Sequence, residues 1–383
     1  MNYRTHIVSS LSEIGREPWD ALVQAQDDPN PFLSYAFLHA LHASGSAAPE
    51  TGWQPQYIVL YDGERLAAAL PLYVKGHSYG EYVFDWAWAD AYGRHGLDYY
   101  PKLLSAIPFT PVAGSRLMAV DAAARAALLE VLVATQGAAE VSSTHVLFPP
   151  EEQARQLQEA GFMLRSGVQF HWLNPGYESF DAFLATLEQK KRKNIRAERR
   201  KVREAGVSLR RVRGVDAQEA DWVLFNRCYR HTYQAHSSTP YLNLDFFRRI
   251  GETMPDNILL VIASRAGRDI AASLVIHNET TLFGRYWGEL EHVPCLHFEA
   301  AYYQPLEFCI EQGIQAFEGG AQGEHKMARG FLPTRTWSAH WLAHPSFADA
   351  IERFLEREKG GIDDYMDELN ERNPFRSTSP TTG

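Results

Sequence analysis

The stretch richest in groups able to do chemistry is Glu318-Gly-Gly-Ala-Gln-Gly-Glu-His-Lys-Met-Ala-Arg-Gly-Phe331. Gly319, Gly320 and Gly323 permit close backbone approach and positive φ, so N–H groups there can hold an anion or a developing oxyanion. Glu324 and His325 can move a proton, while Lys326 and Arg329 can neutralise phosphate or stabilise negative charge. Catalysis is therefore expected of Glu324, His325 and Lys326, and substrate binding of Gly320, Gln322, Gly323 and Arg329. The run follows a short predicted strand, Ala316 to Glu318, and ligands in open α/β sheets sit at strand C-terminal ends. No Gly-Lys-Ser/Thr follows, which excludes a Walker-type nucleoside triphosphatase. A charged surface turn is the plainer alternative.

A second group lies upstream. Tyr286-Trp287-Gly288 ends a predicted strand, and His297, Glu299, Tyr302 and Tyr303 open the helix after it. At helical spacing Glu299 shares a face with Tyr302 and Tyr303. Tyr286, Trp287, His297, Glu299 and Tyr303 are candidates to line the same cleft; Tyr302 reads as packed. Cys228, His231 and His236, and the pair His340 and His344, lack a four-ligand framework, so no metal site is expected. The absence of Gly-x-Ser-x-Gly disfavours a serine hydrolase.

These groups need elements to position them, and the most distinctive is a basic run from Lys190 to Arg203. It holds nine Lys and Arg and one Glu in fourteen residues, about +8, whereas the whole chain of 383 residues carries −10. Such a local field in an acidic protein suggests an anionic partner. At 100° per residue Leu184, Ile195, Val202 and Ala205 share a narrow sector with Leu187 at its edge, and Arg192, Arg196, Arg199 and Arg203 lie beside it. The pattern predicts an amphipathic helix docked by a thin apolar stripe, with Gly206 as its C′ residue. Arg192, Arg196 and Arg199 then offer guanidinium groups to phosphate or carboxylate.

The length favours two domains, and the apolar content suffices for packed cores. Three scattered cysteines, Cys228, Cys295 and Cys309, fit a reducing compartment. The first residues have no apolar h-region and no stretch reaches membrane-spanning length, so a cytoplasmic protein is expected. The acidic balance argues against duplex DNA as a partner.

Predicted strands cover Tyr57 to Tyr61, Leu66 to Val74, Tyr82 to Trp88, His145 to Phe148 and Val168 to Leu173. Ala89 to Gly114 reads as a long irregular loop holding Asp90, Tyr92, Arg94 and His95. Helices are expected at Asp121 to Thr135 and Glu151 to Ala160. In the second half strands are expected at Val207 to Val212, Ile258 to Ser264, Ile270 to His277, Thr281 to Trp287 and Thr336 to Ala343. Helices are expected at Ala217 to Arg230, Asn243 to Met254, His297 to Gln312 and Phe347 to Glu371. The halves echo each other. Pro31-Phe-Leu-Ser-Tyr-Ala-Phe37-Leu38 matches Pro240-Tyr-Leu-Asn-Leu-Asp-Phe246-Phe247, and the hairpin Asp62-Gly-Glu-Arg-Leu-Ala-Ala-Ala-Leu70 matches Ala266-Gly-Arg-Asp-Ile-Ala-Ala-Ser-Leu274. The shared order favours a duplicated α/β domain with mixed sheets.

With KKRKNIRAERRK running into Gly-Val, and with YWG, HFEAAYYQ, EGGAQGEHKMARGF and SAHW in that order, the chain resembles the Fem-type, GNAT-related N-acyltransferases, the peptidoglycan biosynthesis or recognition proteins. The resemblance runs from Trp19 to about Trp341. It implies an α/β (α+β) fold of two tandem GNAT-like acyltransferase domains with mixed, largely antiparallel sheets flanked by helices. The N-terminal domain would span residues 1–175, the C-terminal domain with the basic helix 176–372, and a flexible tail 373–383. It also implies acyl or aminoacyl transfer to an amine, with a cell-wall precursor as one candidate acceptor. Acyl-CoA or aminoacyl-tRNA would be the co-substrate, with no tightly bound cofactor. An Arg/Gln-x-x-Gly-x-Gly/Ala loop for the CoA pyrophosphate is missing.

The expected partner is thus an anionic, phosphate-bearing small molecule or a tRNA acceptor end. The alternative is a non-catalytic protein of the same fold binding an anionic glycan precursor or RNA. Steep salt dependence lost with Arg192, Arg196 and Arg199, without acyl transfer, would mark that alternative.

Overall fold

Residues 3–320 and 323–376 are described by the computed structural model, so Gln322 and residues 377–383 lie outside the described part. The chain divides into two units: 1–167 with 335–364, and 168–334 with 365–383.

In the first unit, β1 (Arg4–Val8), α1 (Arg16–Gln24), α2 (Tyr35–Ala43), β2 (Trp53–Pro55), β3 (Tyr57–Asp62), β4 (Arg65–Leu70) and β5 (Tyr73–Lys75) follow in order. Then come α3 (Trp86–Arg94), β6 (Lys102–Ser105), β7 (Met118–Ala119), α4 (Ala122–Ala138), β8 (Ser143–Leu147), α5 (Glu151–Glu159) and the start of β9 (Met163–Leu173). Ser34 caps α2 by accepting from the Phe37 N–H. Strands β1, β3, β4 and β7 form an antiparallel sheet, with β1 and β7 at its edges. Ile58, Leu60, Leu70, Leu128, Leu132 and Val146 share one core under α4. Burying each such side chain contributes about 1.5–3 kcal/mol.

In the second unit, β9 leads to α6 (Phe180–Thr186), α7 (Gln189–Glu204), β10 (Val207–Arg213), α8 (Glu219–Ala235), α9 (Leu244–Thr253), β11 (Ile258–Arg265), β12 (Arg268–His277) and β13 (Thr281–Glu289). A long helical passage follows: α10 (Leu296–Phe298), a π-helical stretch (Glu299–Tyr303) and α11 (Gln304–Gln312). Then come β14 (Ala316–Glu318), a 3-10 turn (Glu324–Arg329), β15 (Leu332–Leu342), which crosses into the first unit, and α12 (Pro345–Glu371), which begins there and ends in the second. β10, β11, β12 and β13 are antiparallel neighbours in that order, and β14 joins β13 in parallel and β9 antiparallel. The fold is α/β with mixed, largely antiparallel sheets in two units, and the hairpins of the sequence repeat are β3–β4 and β11–β12.

Several expectations need correction. Tyr82 to Trp88 is not a strand: Tyr82 has φ of 62°, and α3 begins at Trp86 and buries Trp88 and Tyr92 one turn apart. The aromatic density conceals that helical spacing, and the 89–114 loop accordingly contains most of α3 and all of β6. The edge strand β1 leaves no apolar pattern because four of its five residues are exposed. Leu184 and Leu187 do not ride on the basic helix. Leu184 belongs to α6 and Leu187 is extended, so Ile195 and Val202 alone anchor α7 among its own buried residues. Gly206, with φ of 75°, does follow α7 as the C′ residue.

Residues 335–364 pack with the first unit, not with a domain spanning 176–372. There Ser338 to Leu342 pair with β8, and α12 is tied by Arg165–Glu358 at 2.7 Å and Arg335–Asp363 at 2.6 Å. Residues 373–376 are held rather than frayed. The Glu188 N–H donates to the Pro374 carbonyl at 3.0 Å, and Arg376 N–H to that of Thr186 at 2.9 Å.

Candidate active site

Strands β13 and β14 pair in parallel only from Thr281 to Phe283 against Ala316 to Glu318. β14 stops at Glu318 while β13 runs on to Glu289, so the two part company. At the parting point β13 carries a bulge: Leu274 faces Tyr286 but Val275 faces Gly284, which leaves Arg285 as the extra residue. Bulges interrupt the ladder, bend the strand and re-aim side chains beside functional clefts.

The result is a cleft of about 390 Å³ lined by Ser273, Arg285, Tyr286, Trp287, His297 and Tyr302, with Phe317 and Gly319 on the β14 side. Its far wall is the π-helical stretch. A π turn shifts the hydrogen-bond register, and here the buried Ser273 hydroxyl donates to the Ala300 carbonyl at 2.7 Å.

Burial, followed by the nearby charges of His325, Arg329 and Lys326, pushes His297 down to about 4, so its imidazole is neutral at pH 7. Burial pushes the Tyr302 hydroxyl up to about 12, which keeps it a donor. The His297 ring lies 5.4 Å from Trp287 and 5.5 Å from Tyr302 between centroids.

The glycine-rich motif borders this cleft, and its residues divide sharply. Lys326 is buried, donates from Nζ to the Gly320 carbonyl at 3.1 Å, and is pushed down by burial to about 8. A Cβ on Gly319 would meet its Cδ at 3.1 Å, so the lysine stem needs that glycine. Gly320 adopts φ of 83° and Gly323 φ of 113°, and a Cβ on Gly323 would strike the His325 ring at 2.4 Å. His325 is exposed, with Nε2 3.5 Å from the Tyr302 hydroxyl.

Glu324 does not join them: it accepts from the Tyr365 hydroxyl at 2.8 Å and pairs with Arg372 at 3.2 Å. Gln322 lies outside the described residues.

Of the residues expected to bind substrate, Tyr286, Trp287 and His297 line the cleft, and Glu299, Tyr303 and Arg329 do not. Glu299 is buried against Arg199, which spans it with bonds of 3.0 and 3.1 Å and also takes Glu307 at 2.6 Å. Tyr303 and Arg329 are both engaged with Glu198. Arg196 pairs with Asp181 at 2.9 Å, and Arg192 reaches the Ala185 carbonyl at 3.4 Å. Arg196, Arg199, Arg200 and Arg203 border a separate groove of about 750 Å³ floored by Phe180 and Leu184. Sequence reasoning misses Ser273 and Arg285; Tyr302, read as packed, is packed in the core and also lines the cleft. Ser273 is marked in the sequence as the single position where Ala-Ala-Ala-Leu of the first hairpin becomes Ala-Ala-Ser-Leu in the second.

The model of the family described as peptidoglycan biosynthesis/recognition matches residues 10–377. The chain belongs to the FemAB-like family. This FemAB-like chain superposes on the crystal structure of FemX with a TM-score of 0.57 at 11% identity, covering 91% of this chain and 100% of FemX. The C-terminal domain of a putative lysylphosphatidylglycerol synthetase from Agrobacterium fabrum gives 0.52 at 10% identity, over 90% and 97% of the two chains. L-PGS from Bacillus licheniformis also gives 0.52, at 12% identity over 89% and 98%. Among curated proteins no sequence matches significantly. The FemAB-like chain is an acyltransferase by family and carries their shared fold. Among the described residues no helix is long and apolar enough to cross a membrane.

Proposed function

We propose that this FemAB-like protein transfers an acyl or aminoacyl group to the amine of a cell-wall precursor, in the cytoplasm, with the chemistry in the cleft between β13 and β14. The donor is a phosphate-bearing ester or thioester, either aminoacyl-tRNA or acyl-CoA, used as a co-substrate rather than a resident cofactor. The observation that carries the reading is the buried Lys326 ammonium beside Gly319, at the edge of a cleft that also presents neutral His297 and the Tyr302 hydroxyl.

In this scheme the amine nitrogen attacks the acyl carbonyl, forming the C–N bond. The carbonyl electrons move onto oxygen, where Lys326 supplies a charge that water cannot match in a desolvated site. The C–O or C–S bond then breaks, and the proton lost by the attacking amine is taken up by His297 and passed to the leaving group. Glu324, tied to the C-terminal helix, has no part in this step.

The test is transfer from labelled aminoacyl-tRNAs and acyl-CoAs to a muropeptide precursor by wild type and Lys326→Ala. Loss of one preorganised oxyanion donor should lower kcat by about 100- to 1,000-fold. The wild-type rate should also fall as pH rises through about 8, because the oxyanion role needs the protonated lysine. Equal rates for the two proteins would remove Lys326 from the reaction.

A further inference from the structure

Within the basic run 190–203 there is one carboxylate, Glu198. It serves no obvious purpose in a helix that attracts anions. Its partners explain it. Arg329 Nη2 donates to Glu198 Oε1 at 3.0 Å and to Oε2 at 2.9 Å, and the Tyr303 hydroxyl donates to the same Oε2.

Arg329 is held from every side. Its Nε donates to the Tyr303 oxygen at 3.0 Å, and its guanidinium lies 3.4 Å from the centroid of the Phe298 ring. The remaining nitrogen, Nη1, donates to the carbonyl of His325 at 2.8 Å. That last bond fastens the main chain of the 324–329 turn, one residue before Lys326. Charge-assisted bonds to a carboxylate are the strong class, and a buried guanidinium that loses its carboxylate must find another arrangement.

We propose that Glu198 is a positioning residue of the transfer reaction: through Arg329 it fixes the 324–329 turn, keeping Lys326 beside Gly319 and His325 beside Tyr302. The proposal rests on the reading that Lys326 serves the chemistry. It gives α7 a second task besides presenting cations, since the helix also carries the anchor of the turn that borders the cleft. It also explains why Tyr303 and Arg329, both expected to bind substrate, bond to Glu198 and do not line the cleft. They transmit the hold of Glu198 to the backbone.

The test uses the full chain with Glu198→Ala, Glu198→Gln and Glu198→Asp, well below each variant's unfolding temperature. Lys326 is acetylated with acetic anhydride across pH, and its rate is followed by peptide mass spectrometry. Amide exchange is read over the same turn. In Glu198→Ala the acetylation midpoint should rise by about one unit as the lysine gains water. Exchange at 323–330 should quicken by about 10-fold or more with the β11–β13 sheet unchanged. With a turning-over substrate, kcat should fall by about 10-fold while KM stays within about twofold, since a misplaced group costs transition-state rather than ground-state contacts.

Glu198→Asp, which keeps the charge, should recover part of each effect. Should Glu198→Ala fail to fold, Glu198→Gln carries the test with the same signs. A Lys326 midpoint and turn exchange equal to wild type in either variant would overturn the proposal, as would loss of protection spread evenly through the unit. The outcome is separable from the function: if Lys326→Ala transfers normally, the catalytic reading fails while midpoint and exchange still report whether Glu198 holds the turn.

Discussion

The two units contain the same device and use it oppositely. Each builds an antiparallel meander, β1-β3-β4-β7 in one and β10-β11-β12-β13 in the other, followed by a helix and a further strand. In the second unit the gap after β13 is the cleft.

In the first unit the corresponding region is filled by the protein's own polar groups. Arg116 is fully buried, and donates to the carbonyls of Leu147 at 2.9 Å, Gly114 at 2.9 Å and Val112 at 2.7 Å. Gln153 Oε1 accepts from the Arg116 and Leu117 N–H groups, both at 2.9 Å, and its Nε2 donates to Ser115 at 2.6 Å. The crossover helix α4 is regular over its whole length, whereas its counterpart contains the π stretch. One copy satisfies its backbone internally; the other leaves space and aims side chains into it. That asymmetry is what duplication permits, because one copy can keep the fold while the other opens a cleft.

The largest effect should come from breaking the filled copy. Arg116→Met would strip three buried carbonyls of their donor at once, and each orphaned group costs about 1–3 kcal/mol. A loss of roughly 3–5 kcal/mol is expected after partial rearrangement, comparable to breaking a buried charged network. Denaturant unfolding would show it as a lower midpoint at unchanged slope, with the activity of the surviving folded protein intact. A loss of turnover in folded protein would mean that the first unit takes part in the reaction.

Part of this contrast is legible in the residues alone. The repeat is readable because Asp62-Gly and Ala266-Gly sit at the same place before apolar runs, and the hairpins form there. The basic helix is readable from Ile195 and Val202, and the cleft residues Tyr286, Trp287 and His297 from their place at a strand end and a helix start. The partners of the charged residues are not. Arg199, Glu299, Tyr303 and Arg329 have the composition of a substrate clamp, yet their bonds run within the protein, between segments about a hundred residues apart. A one-dimensional pattern does not encode which charges neutralise each other, and nothing around Arg116 signals its burial. The bulge at Arg285 and the π register at Glu299 are equally hidden, since neither leaves a periodicity of its own.

An intermediate effect should follow from swapping the one position at which the Ala-Ala-Ala-Leu and Ala-Ala-Ser-Leu runs of the hairpins differ. Ser273→Ala makes that run read Ala-Ala-Ala-Leu, as in the first hairpin, and removes the donor to the Ala300 carbonyl, a cost of about 1–2 kcal/mol. Transfer should weaken as well, because the wall bearing His297 and Tyr302 loses what holds its register. The converse change, Ala69→Ser, places a hydroxyl in a fully buried site on β4. It should destabilise by about 1–3 kcal/mol with no gain in activity. Thermal unfolding of both variants checks the pair. If both were neutral, the serine would have no bearing on the difference between the copies.

The smallest effect on stability concerns another arginine in a different setting. Arg196 is more than half exposed and its partner Asp181 more so, and solvent screens such pairs to about 0–1 kcal/mol. Arg196→Ala should therefore leave unfolding within about 0.5 kcal/mol of wild type, where Arg116→Met does not. The expected weight of Arg196 is in binding. Arg196 borders the groove shared with Arg199, Arg200 and Arg203, and a single-stranded oligonucleotide is a direct probe of that face. Removing a cation that neutralises one phosphate of a single strand lowers the salt slope by about 0.7. A reduced slope with unchanged stability would separate an arginine kept for an anionic partner from one kept for the fold. A slope equal to wild type would leave Arg196 with its surface pair alone and would place the anionic partner elsewhere, on the lysines of α7.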